Sequence, residues 1–131
     1  MNRFCSPIDK NIETAVSELL DSRAESRIYI YLLQNEKARS DDIIRGTKLH
    51  PSTVRELLSK MYNKKIIYRE KIKTDTIGKN PYLYTAISPV ILLQRRVKII
   101  ETRLNTIANL TSKTNGNKRV QITIDYQGDE S

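Results

Sequence analysis

The sequence predicts a mostly helical α+β fold in which four short helices precede a β-hairpin and one long helix follows it. Three observations support this prediction. Apolar residues recur at helical spacing before residue 65, and two β-rich runs then flank a loop that contains glycine. After Ser88, an apolar heptad pattern extends over about 22 residues. A β-type alternation near the C-terminus adds a further candidate strand.

The first three helices are indicated by their caps. Ser6, Ser22 and Ser40 each precede an apolar helical pattern, and acidic residues follow all three within three positions. Hydroxyl side chains cap free amides, and acids favour the positive end of a helix. We expect the third helix to be short and to end at Gly46, since glycine is common just after a helix.

The fourth helix begins at Pro51, in the stretch HPSTVRELLSKMYNKKII of residues 50–67. A proline at the first helical position removes an amide that has no intrahelical partner, so it marks a helix start. One face of this helix is apolar and must contact a core; it comprises Val54, Leu57, Leu58 and Met61. Polar residues occupy the rest of its surface.

The β-rich runs IIYREKIK at 66–73 and PYLYTAI at 81–87 are joined by TDTIGKN, whose glycine and asparagine suit a hairpin loop. Alternation places Arg69, Lys71 and Lys73 on one face of the first strand. A short helix, a turn, a second helix and a basic hairpin form the layout of a winged helix-turn-helix domain. In that layout the second helix enters the DNA major groove, and the hairpin contacts the neighbouring backbone or minor groove.

The charge distribution favours a polyanionic partner. The 131-residue chain has a net charge of +8 and a pI near 9.7. Residues 37–80 hold twelve Lys or Arg against five Asp or Glu, so this third of the chain carries seven of the eight net charges. Such a concentration is typical of a nucleic-acid-binding protein.

Other classes of protein are disfavoured. The sequence has neither an apolar run long enough to span a membrane nor the apolar segment of a secretory signal, so we expect a cytoplasmic, nucleoid-associated protein without membrane contact. Cys5 has no second cysteine, and His50, the one histidine, most simply caps a helix. No catalytic set is visible. We therefore expect no metal, no cofactor and no enzymatic activity.

Several motifs resemble those of the TrmB-like archaeal transcriptional regulators, across roughly residues 8–110. The stretch SRAESRIYIYLL is similar to the Ser-x-x-Glu-Ala-x-x-Tyr-x-x-Leu-Leu pattern of that family. The similarity continues through SDDIIRGTKLHPSTVRELLSKMYNKKII and GKNPYLYTAISP. Ser26 replaces the alanine of the pattern, and His50 replaces the usual Ser or Asp cap. The resemblance implies a DNA-binding winged helix-turn-helix fold and dimerisation.

We therefore expect a winged helix-turn-helix DNA-binding domain at residues 1–88, a coiled-coil-like dimerisation helix at 89–111 and a tail at 112–131. The expected function is that of a homodimeric, sequence-specific transcriptional regulator that binds double-stranded DNA. Arg55 is the best candidate for reading a base, because its guanidinium can donate two hydrogen bonds to guanine. The predicted DNA-binding residues are Lys48, Ser52, Thr53, Arg55, Lys60, Arg69, Lys71, Lys73 and Lys79.

The long helix is predicted to pair with its copy in a second subunit, because its apolar positions repeat at spacings of three and four. The predicted dimer interface comprises Leu93, Val97, Ile100, Leu104 and Ile107. This repeat is compatible with parallel and with antiparallel helices. In the tail, residues 119–126 alternate as in a strand that pairs with a second subunit or with the wing sheet, and disorder is the alternative.

Two other functions are compatible with the same features. An architectural chromosomal protein would bind all duplex sequences alike. A winged-helix protein-interaction module of the transcription machinery would bind duplex DNA negligibly. The sequence leaves open whether a small-molecule effector exists, and which one.

Overall fold

The computed structural model describes residues 10–72, 82–110 and 118–125. The chain divides into two compact units, Met1–Ile87 and Ser88–Ser131. In the described ranges, the first unit contains four helices and two strands: α1 (Lys10–Ser17), α2 (Arg23–Gln34), α3 (Ser40–Thr47), α4 (Pro51–Asn63), β1 (Ile67–Lys71) and β2 (Tyr82–Ala86). The second contains α5 (Pro89–Ala108). The predicted mostly helical α+β class, with its winged helix-turn-helix order of elements, is confirmed.

Helix α2 lies at the centre of the first unit, where it packs against α1, α3, α4 and β2. Its residues Ile28, Tyr29 and Leu32 are buried, and each such side chain contributes about 1.5–3 kcal/mol by leaving water. The Tyr29 hydroxyl donates to the Ile87 carbonyl at 2.7 Å, so its polar end is satisfied inside the core. Burial raises the pKa of Tyr29 to about 12.

The predicted start of α2 is confirmed. Ser22 is the N-cap, and its hydroxyl accepts a hydrogen bond from the Glu25 amide at 3.1 Å. Ser26, which replaces an alanine of the family pattern, is fully buried, and its hydroxyl donates to the Ser22 carbonyl at 3.0 Å. The extra polar group is therefore tolerated because it has a local partner.

Helix α3 differs from its prediction at both ends. Its N-cap is Arg39, whose amide donates to the Asp42 carboxylate at 3.1 Å, and Ser40 is the first helical residue. The helix continues through Gly46 to Thr47, and its C-cap is Lys48, whose φ of 61° is left-handed. A Cβ at Gly46 would overlap the Tyr31 ring. The prediction that Gly46 ends the helix was wrong, because this glycine instead permits the close approach of α2 and α3.

Helix α4 begins at Pro51 as predicted. Val54, Leu58 and Met61 are buried, whereas Leu57 is half-buried at the margin of the core. The apolar stripe predicted from the sequence therefore holds α4 on the domain and leaves its opposite face in solvent.

The two strands form an antiparallel hairpin. In its register Ile67 lies opposite Ala86, Arg69 opposite Tyr84 and Lys71 opposite Tyr82. Ala38, which precedes α3, exchanges two backbone hydrogen bonds with Tyr84, at 2.8 and 3.1 Å. The sheet is thereby attached to the segment that leads into the helix-turn-helix.

In the second unit, α5 has 20 residues and a length of about 30 Å. Residues 118–125 run antiparallel beside it. The amide of Val120 donates to Asn105 Oδ1 at 2.6 Å, and that of Ile122 donates to Glu101 Oε2 at 2.9 Å. Residues 119–125, the described part of the predicted strand 119–126, form no strand and donate backbone hydrogen bonds to side chains of α5.

Candidate nucleic-acid interface

Helix α4 carries four of the nine side chains predicted to contact DNA. Ser52, Arg55 and Lys60 are exposed, and Thr53 is half-buried. Ser52 and Thr53 lie in the first turn, where their hydroxyl groups are suited to contact phosphate oxygens. Arg55 follows within one turn and has the reach and the planar donor pair that guanine recognition requires.

His50 is the N-cap of α4 and orients its first turn. Its Nδ1 accepts a hydrogen bond from the Ser52 amide at 3.1 Å and lies 2.9 Å from the Ser52 hydroxyl. The interpretation of His50 as a structural cap agrees with this geometry. This contact holds Ser52 Oγ at the start of the helix. Ser52 and Arg55 are both exposed to solvent.

Lys48 occupies the turn between α3 and α4. Its left-handed backbone closes α3, its amide donates to the Ile44 carbonyl at 2.9 Å, and its side chain is exposed. The Lys48 side chain therefore lies close to the start of α4. The backbone of Lys48, and not its ammonium group, closes α3.

Two groups of basic residues in the first unit differ in whether they form ion pairs. Lys37, Arg45 and Lys64 form ion pairs with Glu70, Asp42 and Asp21, respectively, at 3.5, 2.6 and 2.6 Å. Within the described ranges, a second group forms no ion pair: Lys48, Arg55, Lys60 and Lys71. The charge of this second group is available to phosphates.

The basic face of β1 is the face that turns towards the domain. Ile67 is 1% exposed and Tyr68 is 52% exposed, so residues 67, 69 and 71 lie on the inner side. Arg69 is half-buried there, and Lys71, farther along the hairpin, is exposed. Lys73 and Lys79, which were also predicted to contact DNA, lie outside the described residues.

Arg69 contacts two aromatic rings. Its guanidinium carbon lies 3.9 Å from the ring centroid of Tyr62 in α4 and 4.4 Å from that of Tyr82 in β2. Both distances are inside the range of about 6 Å over which a cation is attracted to a ring face. Sequence analysis missed these contacts, because Tyr62 and Tyr82 come from different elements.

An ion-pair network at the end of α4 was also missed. Lys64 Nζ lies 2.6 Å from Asp21 Oδ2 and 3.1 Å from Glu25 Oε2, and Glu25 is 1% exposed. Burial alone would lower the pKa of Lys64, but hydrogen bonds and the charges of the two acids outweigh it and raise that pKa. The network fastens α4 to the start of α2.

The predicted dimer residues on α5 have two environments. Leu93, Ile100, Leu104 and Ile107 are exposed by 36–62%. Val97 is half-buried and lines a shallow groove together with Ile122 and Ile124. The exposed residues form one apolar stripe along the helix.

The described part of the chain has neither a metal-binding cluster nor a membrane-spanning helix. There, no group of three or more His, Cys, Asp or Glu side chains has an arrangement that could hold a metal ion. None of the described helices is long and apolar enough to cross a membrane.

Comparison with known proteins identifies the class of the first unit. The family model of the sugar-specific transcriptional regulator TrmB matches residues 22–90, just over half of the chain and from the cap of α2 to the start of α5. A comparison with curated proteins finds no match.

Two solved structures have the same fold. A possible transcriptional regulator from Methanosarcina mazei Go1 is 21% identical, with a TM-score of 0.60 over 88% of this chain and 97% of that chain. A mutant of MepR, a transcription regulator from Staphylococcus aureus, is 16% identical, with a TM-score of 0.50 over 79% of this chain and 76% of that chain.

Proposed function

Because the chain belongs to the TrmB family of transcriptional regulators, we propose that it is a sequence-specific regulator that binds double-stranded DNA as a homodimer. The observation that supports this proposal best is the outward face of α4. It presents Ser52, Thr53 and Arg55 on a rigid helix, beside cations that form no ion pair among the described residues.

Each element has a role in this proposal. Helix α4 enters the major groove, where Arg55 donates to a guanine and Ser52 and Thr53 contact phosphates or base edges. Lys48 and Lys60 contact phosphates on either side of the groove. Lys71, with Lys73 and Lys79 beyond the described part of the hairpin, contacts the neighbouring backbone.

The homodimer forms through α5. Exposed leucine and isoleucine side chains along about 30 Å of helix are stabilised when a second copy covers them. A two-fold axis would place the two α4 helices in successive major grooves about 34 Å apart, so the expected binding site is pseudo-palindromic. The protein acts at the chromosome, without a catalytic step.

The test is a binding-site selection on genomic DNA, followed by titration of the selected and of a random duplex at about 150 mM salt. We expect the selected duplex to bind at least about 1,000-fold more tightly. Arg55→Ala should weaken binding to the selected duplex by about 1–3 kcal/mol and leave random DNA nearly unchanged. Arg103→Ala, which removes one charge from α5, is the matched control.

Two outcomes would replace the proposal. Equal affinity for both duplexes, within about threefold, would indicate an architectural chromosomal protein. Phosphate contacts are strongest at low salt. Negligible binding to duplex DNA under those conditions would therefore indicate a protein-interaction module.

A further inference from the structure

Arg69 lies at the point where the hairpin leaves the domain. On the inner face, Ile67 before it and Tyr84 opposite it are buried, whereas Lys71 after it is exposed. Of the two ring contacts of Arg69, the one to Tyr62 joins the inner face of the hairpin to α4, and the one to Tyr82 joins the two strands.

The contacts join three elements at one cation. Tyr62 belongs to the last turn of α4, Arg69 to the middle of β1 and Tyr82 to the start of the described part of β2. Tyr82 also lies 6.2 Å from the buried Tyr84 ring, so the stack continues into the core. A planar guanidinium can lie against both rings, which a lysine ammonium cannot do as well.

The location of this stack separates Arg69 from the start of the recognition helix. Ser52 and Tyr62 are ten residues apart on α4, which corresponds to about 15 Å along the helix axis. Arg69 is half-buried on the inner face of the sheet, directed at the last turn of α4. Its guanidinium lies against two rings of this chain.

We propose that Arg69 is a positioning residue that fixes the wing relative to α4 through Tyr62 and Tyr82, and that it does not itself bind a DNA phosphate. This inference rests on the proposed DNA-binding function. It replaces the sequence-based expectation that Arg69 contacts DNA directly. The phosphate contact belongs to Lys71, which is exposed and which the stack holds in place.

The decisive variant is Tyr62→Leu, because it removes a ring and no charge. If the stack positions the wing, Tyr62→Leu and Arg69→Met should each weaken binding to the selected duplex by a similar factor, about two- to fivefold. The two effects should not multiply in the double variant. Tyr62→Phe, which keeps the ring face, is the matched control and should bind like the wild type.

Salt dependence distinguishes positioning from a general loss of stability. Lys71→Met should reduce the slope of log K against log salt by about 0.9, the value for one phosphate contact. In the Arg69→Met or Tyr62→Leu background the same substitution should have no further effect, since the wing is already displaced. A purely structural role for Arg69 would leave the contribution of Lys71 intact.

A second measurement tests the stack without DNA. In the NMR spectrum of the wild type and of Tyr62→Phe, ring currents should move the Arg69 side-chain methylene signals upfield. Tyr62→Leu should move them back towards their ordinary positions.

Each result has one meaning. Failure of the wild type to bind duplex DNA overturns the proposed function. If the wild type binds DNA, Arg69→Met weakens this binding and Tyr62→Leu leaves it unchanged, Arg69 contacts a phosphate. That result overturns this inference alone. Ordinary methylene shifts in the wild type overturn the stack itself.

Discussion

Lys64→Met should destabilise the protein because it leaves a buried carboxylate without its cation. Glu25 is 1% exposed, and Lys64 Nζ lies 3.1 and 3.3 Å from its two oxygens. Removing one partner of a buried pair costs about 3–5 kcal/mol. The Lys64 side chain is 32% exposed, so water screens part of this interaction, and we expect a loss of about 2–3 kcal/mol.

The assay is urea unfolding of the wild type, Lys64→Met and the double variant Glu25→Leu/Lys64→Met. The double variant removes both charges and fills the same space with apolar atoms, so most of the stability should return. Lys37→Met is the matched control: its partner Glu70 is exposed, and its loss should cost less than about 1 kcal/mol. Equal losses for Lys64→Met and Lys37→Met would refute the assignment of a buried pair.

The pH dependence gives the same argument a second check. The pKa of Lys64 is raised in the folded protein by Asp21 and Glu25, against the effect of burial. Below the unfolded-state pKa of about 10.5, the protonated Lys64 makes its full contribution to the unfolding free energy. This contribution is lost as the pH rises through the higher pKa of the folded state. The difference in unfolding free energy between the wild type and Lys64→Met should therefore narrow above about pH 10.5 and stay constant near neutrality.

Three further predictions follow from the packing. Gly46→Ala should lower the unfolding free energy by about 1–3 kcal/mol, because a methyl group would overlap Tyr31. Helix propensity alone predicts the opposite, a gain of about 1 kcal/mol. A variant that is more stable than the wild type in urea unfolding would therefore contradict the close contact. The pKa of Tyr29 is about 12 in the folded protein and 10.0 in the unfolded chain, so ionisation favours the unfolded state between pH 10 and 12. Over this range the unfolding free energy of the wild type should fall by about 2–3 kcal/mol relative to that of Tyr29→Phe. Parallel curves of unfolding free energy against pH would contradict the burial of Tyr29. Ile100→Asp should give monomers in analytical ultracentrifugation, while Thr102→Asp, on the opposite side of α5, should not; a dimer that survives Ile100→Asp would exclude the apolar stripe as the interface.

The helices were predictable wherever a local signal fixed them. Ser22 and Pro51 act within one turn of chain, so their effects could be inferred from neighbouring residues alone. Gly46 shows the limit of this approach. Its local pattern is that of a helix end, and its actual role depends on Tyr31, a residue of another helix. Propensity cannot represent a contact that only the packed fold creates.

The side chains that connect elements were not predictable for the same reason. Lys64 and Glu25 are 39 residues apart in sequence, and either alone resembles an ordinary solvated charge. Alternation correctly placed Arg69 and Lys71 on one face of β1, but alternation cannot say which face turns inward. The burial of Ile67 decides this, and it depends on the whole core.

The concentration of charge in residues 37–80 therefore has two physical uses. Part of this charge interacts with other groups of the same domain, since Lys37, Arg45 and Lys64 form ion pairs and Arg69 contacts two rings. Net charge cannot distinguish this part from the part that faces a ligand. Of the described DNA-binding candidates, the cations with neither an ion pair nor a ring contact lie on the outward face of α4, in the turn before it and on the hairpin: Lys48, Arg55, Lys60 and Lys71. This arrangement favours a DNA interface more than the total charge of +8 does, because cations without an internal partner can neutralise phosphates at little cost.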